Sequence, residues 1–292
     1  MLKKAILLIS AILICVFLGN AVLVTGLLIK GLSLNEIMDL NISEIVNSDS
    51  INANYFKLLV GLSNLISFAG SAVLYLTFTK KKEFAKELDL QPQTDMISLV
   101  WFVALYFCTL PLASLMAEFS MNIPWPDWMQ KMDDSSLSDL SSILVMHNAG
   151  DLMVNLISIA MIAGFSEELL FRGVIQKGLQ EFFKPSWIAI IVSSIIFSAV
   201  HLQPVAFLPK MVIGLLLGYA YWISRNLWYS IALHTLNNAV PLIVLYYSGI
   251  DASELPQDNS ANQISWLSIL VSIALGINII FAINKRFNGP KT

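Results

Sequence analysis

Glu167 and Glu168 stand side by side in Ser166-Glu167-Glu168-Leu169-Leu170-Phe171-Arg172-Gly173, an acidic pair set into an apolar run with Arg172 four residues further on. Phe197-Ser198-Ala199-Val200-His201 and His234-Thr235-Leu236-Asn237-Asn238 each bring an imidazole to an apolar stretch, and these are two of the three histidines in the chain. Carboxylates and imidazoles are the side chains that exchange protons with water near neutral pH, and a carboxamide beside an imidazole can address the same ligand. Such a set suits hydrolysis by activated water. It also suits a metal variant of the same chemistry, in which Glu167, His201 and His234 bind Zn²⁺ and leave the fourth position to water. Each residue has a plainer reading as well. A Glu–Arg pair anchors a helix end, an intramembrane His bonds a neighbouring helix, and Asn237 and Asn238 hold helices together. Against those readings, the groups collect on three segments within one half of the chain, where packing alone does not favour them.

The elements that must position these groups are apolar helices. Of 292 residues, 57% are hydrophobic and 13% charged, roughly half the charged share of a soluble domain, and the mean hydropathy is +0.72. That balance excludes a soluble fold and a disordered chain alike. A net charge of -3 gives no basic surface for nucleic acid. Cys15 and Cys108 lie in apolar stretches without C-x-x-C spacing and read as small buried hydrophobes. Eight stretches approach the roughly 20 residues of a spanning helix: 5–29, 58–78, 96–116, 152–171, 187–202, 207–223, 227–245 and 264–283. The first is longer than the apolar core of a signal peptide and reads as a retained span.

The charges sort by connection. Lys3 and Lys4, then Lys80, Lys81, Lys82 and Lys86, then Arg172, Lys177 and Lys184, then Arg225, then Lys285, Arg286 and Lys291 fall on every second connection. The alternate ones carry Glu36, Asp39, Glu44 and Asp49, then Glu118, Asp127, Asp133, Asp134 and Asp139, then Asp251, Glu254 and Asp258. By the positive-inside rule both termini are cytoplasmic, with Lys30, Lys57, Lys131 and Lys210 as exceptions. The connection 117–151, with Trp125, Pro126 and Trp128, is expected along the outer interface. The fold class expected is all-α, a polytopic transmembrane helical bundle of about eight spans. Residues 1–150 form its N-terminal helices and outer interfacial loop, 151–247 the helical core that holds all three motifs, and 248–292 an outer loop and last helix.

Helical geometry separates adjacent carboxylates by about 100°, so Glu167 and Glu168 are not expected to face one point. Glu168 shares a face with Arg172 and is assigned to an ion pair, which leaves Glu167 to face a cavity. His234 and Asn238 share a face and address one ligand. A helix ending near Arg172 puts Glu167 about 8 Å from its end, while His201 lies about 21 Å from the start of its own helix. A longer helix running towards Phe183, or a tilted fifth helix, reconciles those depths.

The motifs E-E-x-x-x-R (Glu167, Glu168, Arg172), F-x-x-x-H (Phe197, His201) and H-x-x-x-N (His234, Asn238), in that order on successive helices, resemble the CPBP family of intramembrane proteases. That family includes the type II CAAX prenyl proteases, bacteriocin-processing and abortive-infection proteins, and the lysostaphin-resistance-protein-A-like group. The resemblance covers residues 151–247. It implies an endopeptidase acting on a membrane-associated peptide, prenylated or bacteriocin- or pheromone-like, in which Glu167 and His201 activate water while His234 and Asn238 stabilise the oxyanion, with Glu168, Arg172 and Phe197 in support. The glutamate mechanism, with no cofactor, is favoured over the zinc version. The expected partners are the lipid bilayer and a peptide or protein substrate, with no nucleic acid, and the expected location is a bacterial cell (inner) membrane. Two other classes stay open, a proton-coupled transporter and a non-catalytic immunity or scaffold protein. The sequence shows no inverted repeat that would favour the transporter.

Overall fold

The computed structural model of the chain describes residues 2–39, 42–46, 51–79, 83–90, 94–250 and 265–288. Asp49, Lys80, Lys81, Lys82, Asp251, Glu254, Asp258 and Lys291, with the side chain of Asp39, lie outside the described residues. The long helices are α1 (Leu2–Ile29), α2 (Ala53–Thr79), α3 (Met96–Met121), α4 (Asp127–Leu144), α5 (Ala149–Phe182), α6 (Ser186–Ala199), α7 (Phe207–Ser224), α8 (Leu227–Ser248) and α9 (Trp266–Asn288). No strand occurs among the described residues. Each of the eight expected stretches is helical over most of its described residues. Six helices, α1, α2, α3, α5, α7 and α9, are long and apolar enough to cross a membrane. The helix α6 has 14 residues, which at 1.5 Å per residue is about 21 Å, short of the roughly 30 Å hydrocarbon core. The helix α8 is long enough, but the polar residues from His234 to Asn238 dilute its apolar character.

Where the expected span ended at 171, α5 runs on to Phe182, 34 residues in all or about 50 Å. Glu167 therefore sits near the middle of its helix, as the longer-helix reading required. Arg172, counted above among the connecting cations, is fully buried within α5 and belongs to no connection. Two turns of α5, Leu156–Ile162 and Phe171–Gln176, are wound as π-helix, and so is Leu65–Gly70 in α2. Each such turn carries one extra residue and often marks a functional region.

The described chain groups into two compact units. The first takes residues 1–87, 136–170 and 234–255. In it α1 runs antiparallel to α2. Tyr55 donates to the Gly26 carbonyl at 3.0 Å, and Gly19 lies against Ser63 and Ser67, the close approach that small residues allow between membrane helices. The helix α2 begins at Asn52, whose side chain caps the N–H groups of Asn54 and Tyr55. Asn54 Nδ2 donates to Asp151 Oδ1 at 2.7 Å and Gly61 meets Ser158. Those two contacts have the same sequence separation, so α2 and the first part of α5 run in the same direction. Lys57, fully buried, donates from Nζ to the Val145 carbonyl at 2.7 Å. This lysine, an exception to the charge sorting, is thus held inside the protein and adds no net charge to a loop.

The second unit takes residues 88–135, 171–233 and 256–292. Phe102, Tyr229 and Phe287 stack there, with ring centroids 5.1 and 5.9 Å from Phe102. Gln176 donates to the Gly218 carbonyl at 2.9 Å and accepts from Ser193, while Asp89 accepts from Lys177 and Tyr221. Asp95 caps α3 and accepts from Ser98 and Arg286. The Ser98 hydroxyl above all, with Arg286 and two backbone N–H groups outweighing a small burial cost, lowers its pKa from the ordinary 3.8 to about 2. A depressed carboxylate adds stability above its unfolded value and loses it as the pH falls through its folded value. We expect Asp95→Asn, which keeps a capping acceptor but no charge, to flatten the loss of thermal stability between the ordinary carboxylate range and about pH 2. The group is well exposed, so the effect stays under about 1 kcal/mol. An acid melting profile identical to that of the unaltered chain removes Asp95 as a contributor.

Candidate active site

The parts of α5 and α8 that lie in the first unit build the core of the site. The Glu pair lies on α5 and His234 on α8, and they approach because neither side chain at the crossing is bulky. A Cβ placed on Gly164 would lie 2.7 Å from Thr235 Oγ1, 3.0 Å from Thr235 N and 3.2 Å from its Cα. Gly164 is three residues before Glu167, and Thr235 follows His234. Ala160 and Ala163, both buried, extend the same small-residue surface. One turn further along α8, Asn238 Nδ2 donates to the Ile159 carbonyl at 3.2 Å. Ile159 lies in a π-wound turn, where carbonyls leave the regular α-helical pattern and accept from elsewhere.

At this crossing the imidazole of His234, 3% exposed, lies between both carboxylates. Its Nδ1 is 2.9 Å from Glu168 Oε1 and its Nε2 3.9 Å from Glu167 Oε2. This corrects the expectation that the two acids cannot face one point. The 100° step applies to Cβ directions, whereas a Glu side chain has three rotatable bonds, and a ring on the facing helix offers two nitrogens on opposite edges. Glu168 is fully buried and Glu167 is 8% exposed, so Glu167 keeps the better access to a reactant. With Glu168 ionised, Nδ1 of His234 is the donor. Nε2, towards Glu167, then accepts in the neutral ring and donates in the protonated one. The 3.9 Å separation is too long for a direct hydrogen bond, yet one water in hydrogen-bond contact with both groups can span it.

Asn238 completes this part of the site. It accepts from Asn237 Nδ2 at 3.2 Å while giving one N–H to Ile159, and a carboxamide nitrogen has a second N–H to give. His234 and Asn238 lie one turn apart on α8, as their spacing indicated.

His201, Phe197 and Arg172 belong to the second unit. His201 follows the last turn of α6, and its Nδ1 is 2.8 Å from the Phe197 carbonyl. A carbonyl oxygen can only accept, so Nδ1 carries the hydrogen, and in the neutral ring Nε2 is the nitrogen without one, the tautomer a base requires. Phe197 holds the rest of the arrangement. Its ring packs edge-on against His201 and Phe171 at 5.0 and 5.2 Å, and the Arg172 guanidinium lies over it at 4.6 Å. Arg172 also donates to the Gly214 carbonyl at 3.2 Å. The F-x-x-x-H spacing thus has a local cause, since it places the histidine over the carbonyl and ring one turn back.

Of the zinc set proposed from sequence, Glu167 and His234 are neighbours in the first unit. No group of three His, Cys, Asp or Glu side chains among the described residues is arranged to hold a metal ion. Two features were missed in the sequence, Gly164 and the Ile159 carbonyl. The small-residue run Ala160, Ala163, Gly164 carried a signal for the first, while nothing in the residue types announces a π turn.

Residues 149–240 match the family model described as type II CAAX prenyl endopeptidase Rce1-like. Comparison with curated proteins and with solved structures gives no match. The match begins and ends with the segment that holds all three motifs, on a chain whose six apolar helices mark an integral membrane protein. Residues 149–240 are therefore similar to the Rce1-like domain of type II CAAX prenyl endopeptidases, which is consistent with an intramembrane protease of the CPBP type.

Proposed function

We propose that the protein is a glutamate-dependent intramembrane endopeptidase that cleaves a membrane-associated peptide. The observation that carries this reading is the imidazole of His234 held by Glu168 on one edge and facing Glu167 across 3.9 Å on the other. In this proposal Glu167 takes a proton from water as the oxygen attacks the peptide carbonyl, and later returns it to the leaving nitrogen. The family resemblance gives His201 a share in activating that water. His234, protonated, and the second N–H of Asn238 donate to the tetrahedral oxyanion. Glu168 is a positioning residue, since its hydrogen bond to Nδ1 turns Nε2 towards the reacting centre. Arg172 and Phe197 position His201. Both termini on the cytoplasmic side and a prenylated or bacteriocin-like peptide as substrate belong to the same proposal.

The experiment is cleavage of a membrane-anchored peptide library by the purified protein beside its Glu167→Ala form, with and without a chelator. We expect cleavage by the unaltered protein in both conditions and none by the variant. Activity lost with the chelator, together with stoichiometric zinc in the active protein, would replace the glutamate mechanism by the metal one. Glu167-independent cleavage, or Glu167-dependent ion flux in liposomes without cleavage, would overturn the protease reading.

A further inference from the structure

Asn155 is fully excluded from solvent on α5, and among the described residues neither its carboxamide oxygen nor its nitrogen has a hydrogen-bond partner. Ser158, 2% exposed and one turn further on, has an unpartnered hydroxyl as well. Buried polar groups are almost always satisfied, by protein or by ordered water, because an unmade hydrogen bond costs the full desolvation of the group. Two adjacent exceptions on one helix face, in a chain this apolar, call for a ligand. The face is defined by its neighbours. Asp151 and Ser158 both meet α2, at Asn54 and Gly61, and Asn155 lies between them at helical spacing. We infer that Asn155 and Ser158 bind ordered water on the seam between α2 and α5, and that this water belongs to a polar stripe leading to Glu167.

The size of the ligand follows from the packing. A Cβ on Gly61 would come within 3.1 Å of the Ser158 Cβ, so the two helices approach too closely for anything much larger than water. Its chemistry follows from the donors and acceptors, since a carboxamide and a hydroxyl together both give and accept, as water does. The stripe continues inward within the same unit. Beside Ser158 is the Ile159 carbonyl, bonded to Asn238, and one turn back along α8 lies His234, facing Glu167. Resting on the protease reading, the inference gives the stripe a purpose. Each cleavage consumes one water, whose oxygen bonds to the carbonyl carbon as the C–N bond breaks, while its protons go to the new amine and carboxyl groups. A carboxylate only 8% exposed needs a route for that reactant.

The test compares Asn155→Leu, which is nearly isosteric and apolar, with Asn155→Ser, which keeps a polar group and leaves space for water, both in the full chain. If water is bound, the Leu form loses it and its Tm falls by about 2–4 °C, while the Ser form stays near the unaltered value. A Tm for the Leu form equal to or above that of the unaltered chain overturns the water site, since replacing an unliganded orphan with an apolar group stabilises. On a membrane-anchored peptide the Leu form is expected to lose about tenfold in kcat with KM unchanged. Unaltered kcat in a Leu form of lowered Tm overturns the stripe's part in supplying the reaction. The thermal measurement uses no substrate, so it decides the water site even if Glu167→Ala cleaves normally and the protease reading fails.

Discussion

Replacing Glu167 by Gln is expected to lower peptide cleavage at least about a thousandfold, the upper range for loss of a general base, while Glu168→Gln lowers it by about ten- to a hundredfold. The two acids are adjacent and both buried, but their surroundings differ. Glu167 faces Nε2 of His234 at a distance that admits a water, and it retains some exposure. Glu168 is wholly enclosed and already bonded to Nδ1 at 2.9 Å. Gln at 167 cannot accept the proton of an attacking water, so the step has no substitute. Gln at 168 still offers an amide oxygen to Nδ1, so the ring keeps its orientation while losing the charge beside it. Initial rates on a membrane-anchored peptide, with melting curves as a control for folding, measure both. A larger loss for Glu168→Gln than for Glu167→Gln would exchange the roles assigned to them.

The second large effect is expected at a residue that carries no chemistry. Gly164→Val should cost about 1–3 kcal/mol of stability, the usual range for overpacking, and at least about a hundredfold in kcat, since small displacements of catalytic groups are that expensive. An added Cβ meets Thr235 Oγ1 at 2.7 Å and the Thr235 backbone at 3.0 and 3.2 Å. Backbone atoms of a packed helix cannot turn aside, so α8 must move off α5 and carry His234 away from both carboxylates. In an exposed helix interior the change from Gly to Ala gains about 1 kcal/mol. Here we expect Gly164→Ala to lose activity in spite of that propensity, and Thr235→Ala to restore part of it by removing the nearest contact. Such rescue separates repositioning of His234 from a general loss of folding. Unchanged kcat in Gly164→Val would mean that the crossing tolerates separation and that Gly164 does not position the site.

The three motifs were legible because each is short and local: an acidic pair in an apolar run, a histidine one turn after Phe197, and Asn238 one turn after His234. Their spacings translate into shared helix faces without knowledge of the fold, and for His201 and Phe197 the structure gives the same one-turn relation. The helices themselves followed from apolar length. What the sequence did not disclose depends on regularities that the chain breaks. Counting four residues from Glu168 points to Arg172, and that local count does not announce the ring of His234, which reaches the same carboxylate from another helix. The end of the fourth span was placed near Arg172 because a cation normally marks a boundary, whereas here the cation is enclosed over Phe197 and the helix continues. Asn155 and Ser158 looked unremarkable because burial, not residue type, is what makes them unusual.

The π-wound turn Leu156–Ile162 has a consequence for how this protein tolerates change. It adds one residue to the helix between Asp151, tied to α2, and Gly164, fitted against α8. Those two attachments fix the rotational phase of α5 at both ends, and the π winding is what lets both hold with the extra residue present. Side-chain substitutions within 156–162 leave that phase alone. Losing one residue there would let the turn close into regular α-helix with both attachments kept, whereas losing one from the regular turns on either side would rotate one attachment by about 100° relative to the other, so this stretch should accept a one-residue deletion that its flanks do not.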